Sequence, residues 1–266
     1  MAALRTALII AIFSLGSAFS MHAFAQEDTA EESNEVSETI FDPEALEILK
    51  EMSDTLAGAQ EFTFNTEVTN DRSLDTGQTI QVSGSMTAAV KRPDNVYAKY
   101  TGDFNTREVW YSGTTLTMFI PDKNFYGVLK TPDNIDATMD FLMDNYNFAL
   151  PLADVISANP YESVMETTIG GFIVGDSNVR GTECTHLAFV GEYVDWQVWI
   201  SNDDPALPYK LVIEYKQIES SPQYQAIFSN WNLDPKLQAS TFKPDLPKDA
   251  VKIDFINFKK QEGEKK

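Results

Sequence analysis

Histidine and cysteine, the side chains most often used as bases, nucleophiles and metal ligands, are scarce in this sequence. The chain has two histidines, His22 and His186, and one cysteine, Cys184. His22 lies in an N-terminal segment that we expect to be removed, so a His/Cys metal cluster cannot form within one mature chain. His186 and Cys184 lie in a stretch typical of a β-strand, where we interpret both as structural side chains.

Short catalytic motifs are also missing from the sequence. It contains no Cys-x-x-Cys pair, no Gly-x-Ser-x-Gly elbow, no His-Glu-x-x-His motif and no glycine-rich nucleotide loop. His186 therefore has no serine elbow beside which it could act as a base. The sequence predicts a non-enzymatic protein without a cofactor or a bound metal.

Acidic residues are abundant enough to leave one catalytic alternative open. The tripeptide Asp-Thr-Gly at 75–77 resembles that of aspartic proteases, but those enzymes need two carboxylates sharing a proton, so we interpret it as a hairpin turn. Asp136, Asp140 and Asp144 recur every four residues. They could bind a cation, but the spacing favours the solvated face of a helix. Because spacing alone does not select a catalytic pair, a carboxylate-dependent hydrolase remains an alternative.

The remaining chemistry is hydrophobic. Aromatic residues make up 12% of the chain, and methionine is an adaptable side chain suited to varied apolar ligands. Trp196 and Trp199 lie on opposite faces of one predicted strand. On the residues alone, we interpret these side chains as an ordinary core; the alternative is a ligand cavity whose wall is formed by alternating strand residues and whose lid is formed by a helix. The predicted wall residues are Phe62, Phe64, Val82, Met86, Leu116, Met118 and Trp196, and the predicted lid residues are Met139, Leu142, Met143 and Tyr146.

The N-terminus has the pattern of an export signal. Arg5 precedes an apolar run over 7–13, and the small residues Ala23 and Ala25 stand where a signal peptidase would cut. The apolar run is shorter than the roughly 20 residues that a membrane span needs, and no cysteine follows it that could carry a lipid. We predict a periplasmic protein that is not a lipoprotein, with a signal peptide at 1–25, an acidic disordered spacer at 26–40, a single domain at 41–258 and a polar tail at 259–266.

The net charge of the chain limits the classes of molecule that it can bind. It has 20 basic and 40 acidic residues and a net charge of −20. Such a charge disfavours binding to nucleic acid and to anionic lipid headgroups.

Two kinds of element must position the cavity residues. Asp42 and Pro43 predict a helix that ends at Gly58, and Thr131 with Pro132 predicts the start of a second helix that continues to Tyr146, followed by a short piece at 152–156. Period-two alternation elsewhere predicts about ten to twelve antiparallel strands. A sheet of that size curls or closes, and the unusually apolar second helix suits a cover for its concave face.

Short strand and turn phrases are spread along the chain: PEAL at 43–46, KRPD at 91–94, YSGTTL at 111–116, PDKNFY at 121–126, LPLAD at 150–154, LPYKL at 207–211 and FKP at 242–244. Together they resemble the bacterial periplasmic family known as domain of unknown function 2092, which is grouped with the lipoprotein-carrier fold of LolA, LolB and LppX.

This resemblance implies an α+β, mostly β fold: a curled antiparallel half-barrel of about eleven strands, covered by a few helices around an apolar cavity. In the carriers, such a cavity holds acyl chains and a conserved arginine holds the lid closed. Candidates for that arginine are Arg72, Arg92, Arg107 and Arg180.

The expected function is therefore that of a soluble periplasmic carrier or binding protein for a lipid, a lipoprotein acyl chain or another amphiphile. Its expected partner is a hydrophobic or lipid-like ligand. Binding to an envelope protein and transient contact with a membrane are compatible with the same role. The alternatives are the periplasmic carboxylate-dependent hydrolase and an envelope scaffold without a ligand.

Overall fold

The computed structural model describes residues 41–148 and 150–257. The predicted signal peptide, acidic spacer and polar tail lie outside these residues. The helices are α1 (Pro43–Gly58), α2 (Ile135–Tyr146), α3 (Ala153–Ile156) and α4 (Pro160–Met165), with short 3-10 turns at Pro121–Lys123 and Ala239–Phe242. The strands are β1 (Glu61–Ser73), β2 (Thr79–Lys91), β3 (Asn95–Gly102), β4 (Thr106–Ser112), β5 (Thr115–Ile120), β6 (Phe125–Lys130), β7 (Thr168–Val179), β8 (Thr182–Gly191), β9 (Val194–Ser201), β10 (Pro208–Tyr215), β11 (Gln223–Asn232) and β12 (Val251–Lys252).

All twelve strands belong to one sheet in the order β12-β6-β5-β4-β3-β2-β1-β11-β10-β9-β8-β7. Two antiparallel meanders, β1–β6 and β7–β11, meet where β1 pairs with β11, for example at Val68 opposite Ala226. β12 pairs with β6 in parallel. The curled antiparallel fold predicted from the sequence is confirmed, with α1 to α4 as its helices.

Helix α1 forms where the sequence predicts it. The carboxylate of Asp42 accepts a hydrogen bond from the Glu44 amide at 3.0 Å, and Pro43 occupies the first turn. A proline there costs no hydrogen bond, because the first amides of a helix lack an internal partner. The buried face of α1, which includes Leu49 and Leu56, packs against β8 and β9. The first helix therefore covers the C-terminal meander.

The predicted start of α2 is wrong. The helix begins at Ile135, and its N-cap is Asn134, whose side-chain oxygen accepts a hydrogen bond from the Ala137 amide at 2.8 Å. Pro132 stays outside the helix because its carbonyl accepts hydrogen bonds from the Tyr111 and Thr138 hydroxyls at 2.9 and 3.2 Å. These contacts tie the helix start to the sheet.

Two further elements differ from their predictions. Asn159 lies beyond the predicted helical piece at 152–156 and caps a further helix, α4, since its side chain accepts a hydrogen bond from the Glu162 amide at 3.3 Å. Alternation near the end of the domain also predicts a strand over 251–258, but in the described residues the strand is limited to Val251–Lys252. It stops there because the following segment turns Phe255 towards the concave side of the sheet, where its ring packs beside Tyr146.

The tripeptide at 75–77 and Asp136, for which the sequence left other roles open, have structural roles in the fold. The tripeptide at 75–77 is the turn between β1 and β2, closed by a 2.8 Å hydrogen bond from the Gly77 amide to the Leu74 carbonyl. Asp136 accepts hydrogen bonds from the Ala158 amide at 3.1 and 3.3 Å. Within 41–148 and 150–257, no three His, Cys, Asp or Glu residues are grouped as metal ligands. No helix in these ranges is both long and apolar enough to cross a membrane.

Candidate ligand pockets

Helix α2 lies over the concave face of the sheet. Ile135 and Leu142 are buried in the main hydrophobic cluster, and the Ile135 amide donates a 2.9 Å hydrogen bond to the Pro93 carbonyl in the β2–β3 turn. The helix ends at Asn147, whose left-handed backbone (φ 49°) reverses the chain. The helix thus has its start fixed to the sheet and its end beside two pockets.

The first pocket, of about 210 Å³, lies between α2, the α3–α4 segment, α1 and strands β9–β11. Trp196 forms part of its wall; the indole stacks on Phe189 at 4.1 Å and donates a 3.1 Å hydrogen bond to the Thr168 hydroxyl. The apolar side chains that border this pocket include Leu49, Met52, Met139, Met143, Phe148, Val155, Val164, Val198, Leu211, Ile213 and Phe228. The walls are therefore mainly hydrophobic.

The second pocket, of about 330 Å³, lies between α2, β5, β6 and the C-terminal segment. Phe148 borders both pockets and stands between them. The other bordering residues include Leu116, Met118, Ile120, Gly127, Leu142, Tyr146, Ile253, Phe255 and Ile256, with Arg107 and Asp254 as charged neighbours. The apolar volume is thus divided between two adjacent compartments.

The predicted cavity residues fall into three groups. Met139, Met143 and Trp196 border the first pocket. Leu116, Met118, Leu142 and Tyr146 border the second. Phe62, Phe64 and Met86 belong to or pack against the hydrophobic cluster, and Val82 is half-buried farther along β2; none of these four borders either pocket.

Phe62 and Phe64 do not border the pockets because other rings cover them. The Trp231 ring lies 4.7 Å from Phe64 and 6.3 Å from Phe62, and Phe228 lies 5.7 Å from Phe64. Trp231 is oriented by a 2.9 Å hydrogen bond from its indole to the Pro208 carbonyl. The alternation in β1 predicts that both phenylalanines lie on the buried face of the strand. The rings that pack over them make both side chains part of the hydrophobic core.

Arg92 joins the sheet to two helices. Its guanidinium donates hydrogen bonds to the carbonyls of Ile156 at 2.8 Å, Ala59 at 3.3 Å and Leu56 at 3.4 Å. It also lies 5.5 Å from the centre of the Phe62 ring. Burial lowers the pKa of Arg92 below its ordinary value, and the carboxylate of Asp136 acts in the opposite direction.

The other arginines have different surroundings. Arg72 stands over the Phe104 ring at 5.4 Å, Arg180 pairs with Glu67 at 2.5 Å, and Arg107 borders the second pocket. Of the four candidates, Arg92 is the one bonded to helical carbonyls. The sequence placed Arg92 only in a strand-end phrase, and no local signal identified its partners.

The rim of the first pocket is acidic. Asp140 and Glu166 border the pocket with exposed side chains, and Asp154 accepts a 2.5 Å hydrogen bond from the Ser163 hydroxyl. Among the described residues that border this pocket, none is basic. Deeper in the same pocket, burial raises the pKa of Tyr215 to about 12.

The histidine and the cysteine lie away from both pockets. His186 stacks on Trp199 at 3.9 Å and hydrogen-bonds to Gln197 at 2.9 Å; its pKa is lowered, mainly by burial. Cys184 is fully buried, and burial raises its pKa to about 11. Trp199 is on the face opposite Trp196, as alternation predicted.

Some solved structures are similar to this chain at low sequence identity. No curated protein was found to match the sequence. Among solved structures, LprF from Mycobacterium bovis is 14% identical over 79% of this chain and 99% of its own, with a TM-score of 0.45. Lipoprotein LppX from Mycobacterium tuberculosis is 14% identical over 72% and 96%, with a TM-score of 0.45. A LolA superfamily protein from Nitrosomonas europaea is 13% identical over 76% and 98%, with a TM-score of 0.36.

A family model gives the classification. The model described as predicted periplasmic protein (DUF2092) matches residues 45–256. Because this match spans most of the chain and agrees with the location predicted from the sequence, the protein belongs to the DUF2092 family of predicted periplasmic proteins.

Proposed function

We propose that this protein is a non-enzymatic periplasmic binding or carrier protein for a lipid-like amphiphile, which it holds under α2. The observation that supports this most directly is the pair of adjacent apolar pockets separated by Phe148. Such pockets remove hydrocarbon from water, and each buried CH₂ contributes about 0.8 kcal/mol. Together they would form the ligand cavity.

Arg92 connects the sheet to helices α1 and α3, both of which border the first pocket. Its hydrogen bonds reach the end of α1 and the end of α3, and α3 belongs to the segment that borders the first pocket. The positive charge also suits the C-terminal end of α1, whose last turn has no basic residue. We propose that Arg92 holds the helices closed over the bound chain.

The pocket walls favour binding over hydrolysis. A hydrolase of the alternative kind would place a carboxylate pair against a polar substrate cleft. Here, Asp140 and Glu166 lie at the exposed rim of a pocket with hydrophobic walls. The two apolar pockets also favour a ligand-binding protein over a scaffold without a ligand, whose core would be packed by its own side chains.

Native mass spectrometry of the protein purified from the periplasm, followed by lipid extraction, tests the proposal. We expect a co-purified amphiphile and displacement of a fluorescent alkyl probe. A Met143→Gln variant makes the wall of the first pocket polar and should weaken probe binding. Met165→Gln is the matched control, because Met165 packs against the α1 cluster and borders neither pocket.

Two results together would refute the proposal. The first is recovery of no lipid from the purified protein. The second is failure of the fluorescent probe to bind the wild-type protein. Equal weakening by the two methionine variants would instead show that the probe does not occupy the first pocket.

A further inference from the structure

The C-terminal segment crosses the rim of the second pocket, and its residues 253–257 follow β12 without forming a helix or a strand. The Val251 amide donates to the Asn124 carbonyl at 2.9 Å, and the Ile253 amide donates to the Tyr126 carbonyl at 2.8 Å. The Asn124 side chain donates to the Asp249 carbonyl at 3.1 Å. Strand β12 has only two residues and lies at the end of the sheet. Irregular segments open at a lower free-energy cost than hydrogen-bonded helices and strands.

Phe255 turns inward from this segment. Its ring meets the Tyr146 ring edge-on, with centroids 6.0 Å apart and an interplanar angle of 74°. On the other side it lies against Gly127, where an added Cβ would stand 2.5 Å from a ring carbon. The absence of a side chain at Gly127 thus makes room for the ring. Its neighbours Ile253 and Ile256 are 41% and 62% exposed.

The Phe255 ring lies at a position where a hydrocarbon chain could also pack. Phe255 borders the second pocket together with Leu116, Met118 and Leu142, and these side chains offer no hydrogen-bonding group that would select an aromatic ring over an alkyl chain. The ring is carried by an irregular segment at the edge of the sheet, whereas the rest of the wall is carried mainly by α2 and strands β4 to β6. An entering chain would therefore displace Phe255 at less cost than any other part of the wall.

We propose that the second pocket is an acyl-chain subsite that the Phe255 ring narrows, and that the ligand expels residues 253–256 when it enters. This inference rests on the proposed function. If the ring and the chain exclude each other, the apparent affinity is the intrinsic affinity multiplied by the fraction of molecules with the ring already out. Phe255 then lowers ligand affinity and makes release easier.

Isothermal titration with dodecyltrimethylammonium, kept below its micelle concentration, tests the effect on affinity. We expect Phe255→Ala to bind about tenfold more tightly than the wild type, a change that equals about 1.4 kcal/mol. Ile256→Ala removes a neighbouring apolar side chain that is largely exposed and should leave the affinity unchanged.

Hydrogen exchange separates expulsion from simple enlargement of the pocket. If the ligand expels the segment, peptides covering 250–257 of the wild-type protein should exchange faster when the detergent is bound, since the Ile253 hydrogen bond is lost. If Phe255 is a fixed wall, the same peptides should become protected.

The outcomes distinguish the two proposals. Protection of the segment, or equal affinity of the wild type and Phe255→Ala, overturns this inference and leaves the binding function standing. Failure of both proteins to bind the detergent and a neutral alkyl probe, together with recovery of no lipid from the purified protein, overturns the proposed function and this inference with it.

Discussion

Replacing Arg92 by methionine tests whether one side chain connects the sheet to its helical cover. The substitution keeps an unbranched apolar stem and removes the guanidinium. The Ile156 carbonyl then loses a 2.8 Å charged hydrogen bond, and the carbonyls of Ala59 and Leu56 lose longer ones. The Phe62 ring also loses its cation.

The expected loss follows from the geometry of these contacts. A hydrogen bond to a charged group contributes about 1.5–3 kcal/mol, and we assign this to the short bond to Ile156. The two longer bonds add less, and the Leu56 carbonyl keeps a partner in the Ala59 amide at 3.3 Å. The charge at the end of α1 adds about 0.3–1 kcal/mol. We therefore expect Arg92→Met to lower the free energy of unfolding by about 2–4 kcal/mol.

Urea denaturation measures this change as a shift of the midpoint at an unchanged m-value. Arg72→Met is the matched control, because Arg72 stands over Phe104, whose side chain is 60% exposed, and exposed substitutions change stability by about 0.5 kcal/mol or less. Arg92→Lys keeps the charge without the planar fork and should fall between the wild type and Arg92→Met. A loss below about 0.5 kcal/mol for Arg92→Met would refute the reasoning, because it would mean that water replaces all three hydrogen bonds at no cost.

Three further predictions concern packing, reactivity and ligand choice. Gly171→Ala should lower the free energy of unfolding, measured by urea denaturation, by about 1–3 kcal/mol, because the added Cβ would collide with the Phe189 ring. Gly58→Ala is the control: the position has open space around it, so the free energy of unfolding should change by less than about 1 kcal/mol. Iodoacetamide should label Cys184 far more slowly in the native protein than in urea at pH 8, because burial raises the thiol pKa to about 11 and the thiolate is the reactive form; equally fast labelling would contradict the buried position. Dodecyltrimethylammonium should bind several-fold more tightly than dodecanoate at low salt, because the rim of the first pocket is acidic. In calorimetry, Glu166→Gln and high salt should each reduce the difference in affinity between the two detergents. Tighter binding of dodecanoate would contradict the role given to the acidic rim.

Local rules predicted the elements whose signals lie close together in the sequence. Asp42 and Pro43 specify the start of α1 within one turn, so that prediction is confirmed. Period-two alternation identified the faces of β1 and of β9, and Trp196 and Trp199 lie on opposite faces as expected. The start of α2 was missed because Asn134 competes with Thr131 as a cap, and the Tyr111 hydroxyl, far away in sequence, fixes Pro132 outside the helix.

The spacing of the apolar residues is enough to predict a curled antiparallel sheet with helical cover, because it indicates which side of each strand is buried. It did not determine what covers each buried side chain. Phe64 and Met118 both alternate correctly, yet Trp231 packs over Phe64 while Met118 borders a pocket. Arg92 likewise binds carbonyls 33, 36 and 64 residues away. A backbone carbonyl has no sequence signature, and only the tertiary structure brings these oxygens to the guanidinium and leaves the space beside α2 unfilled.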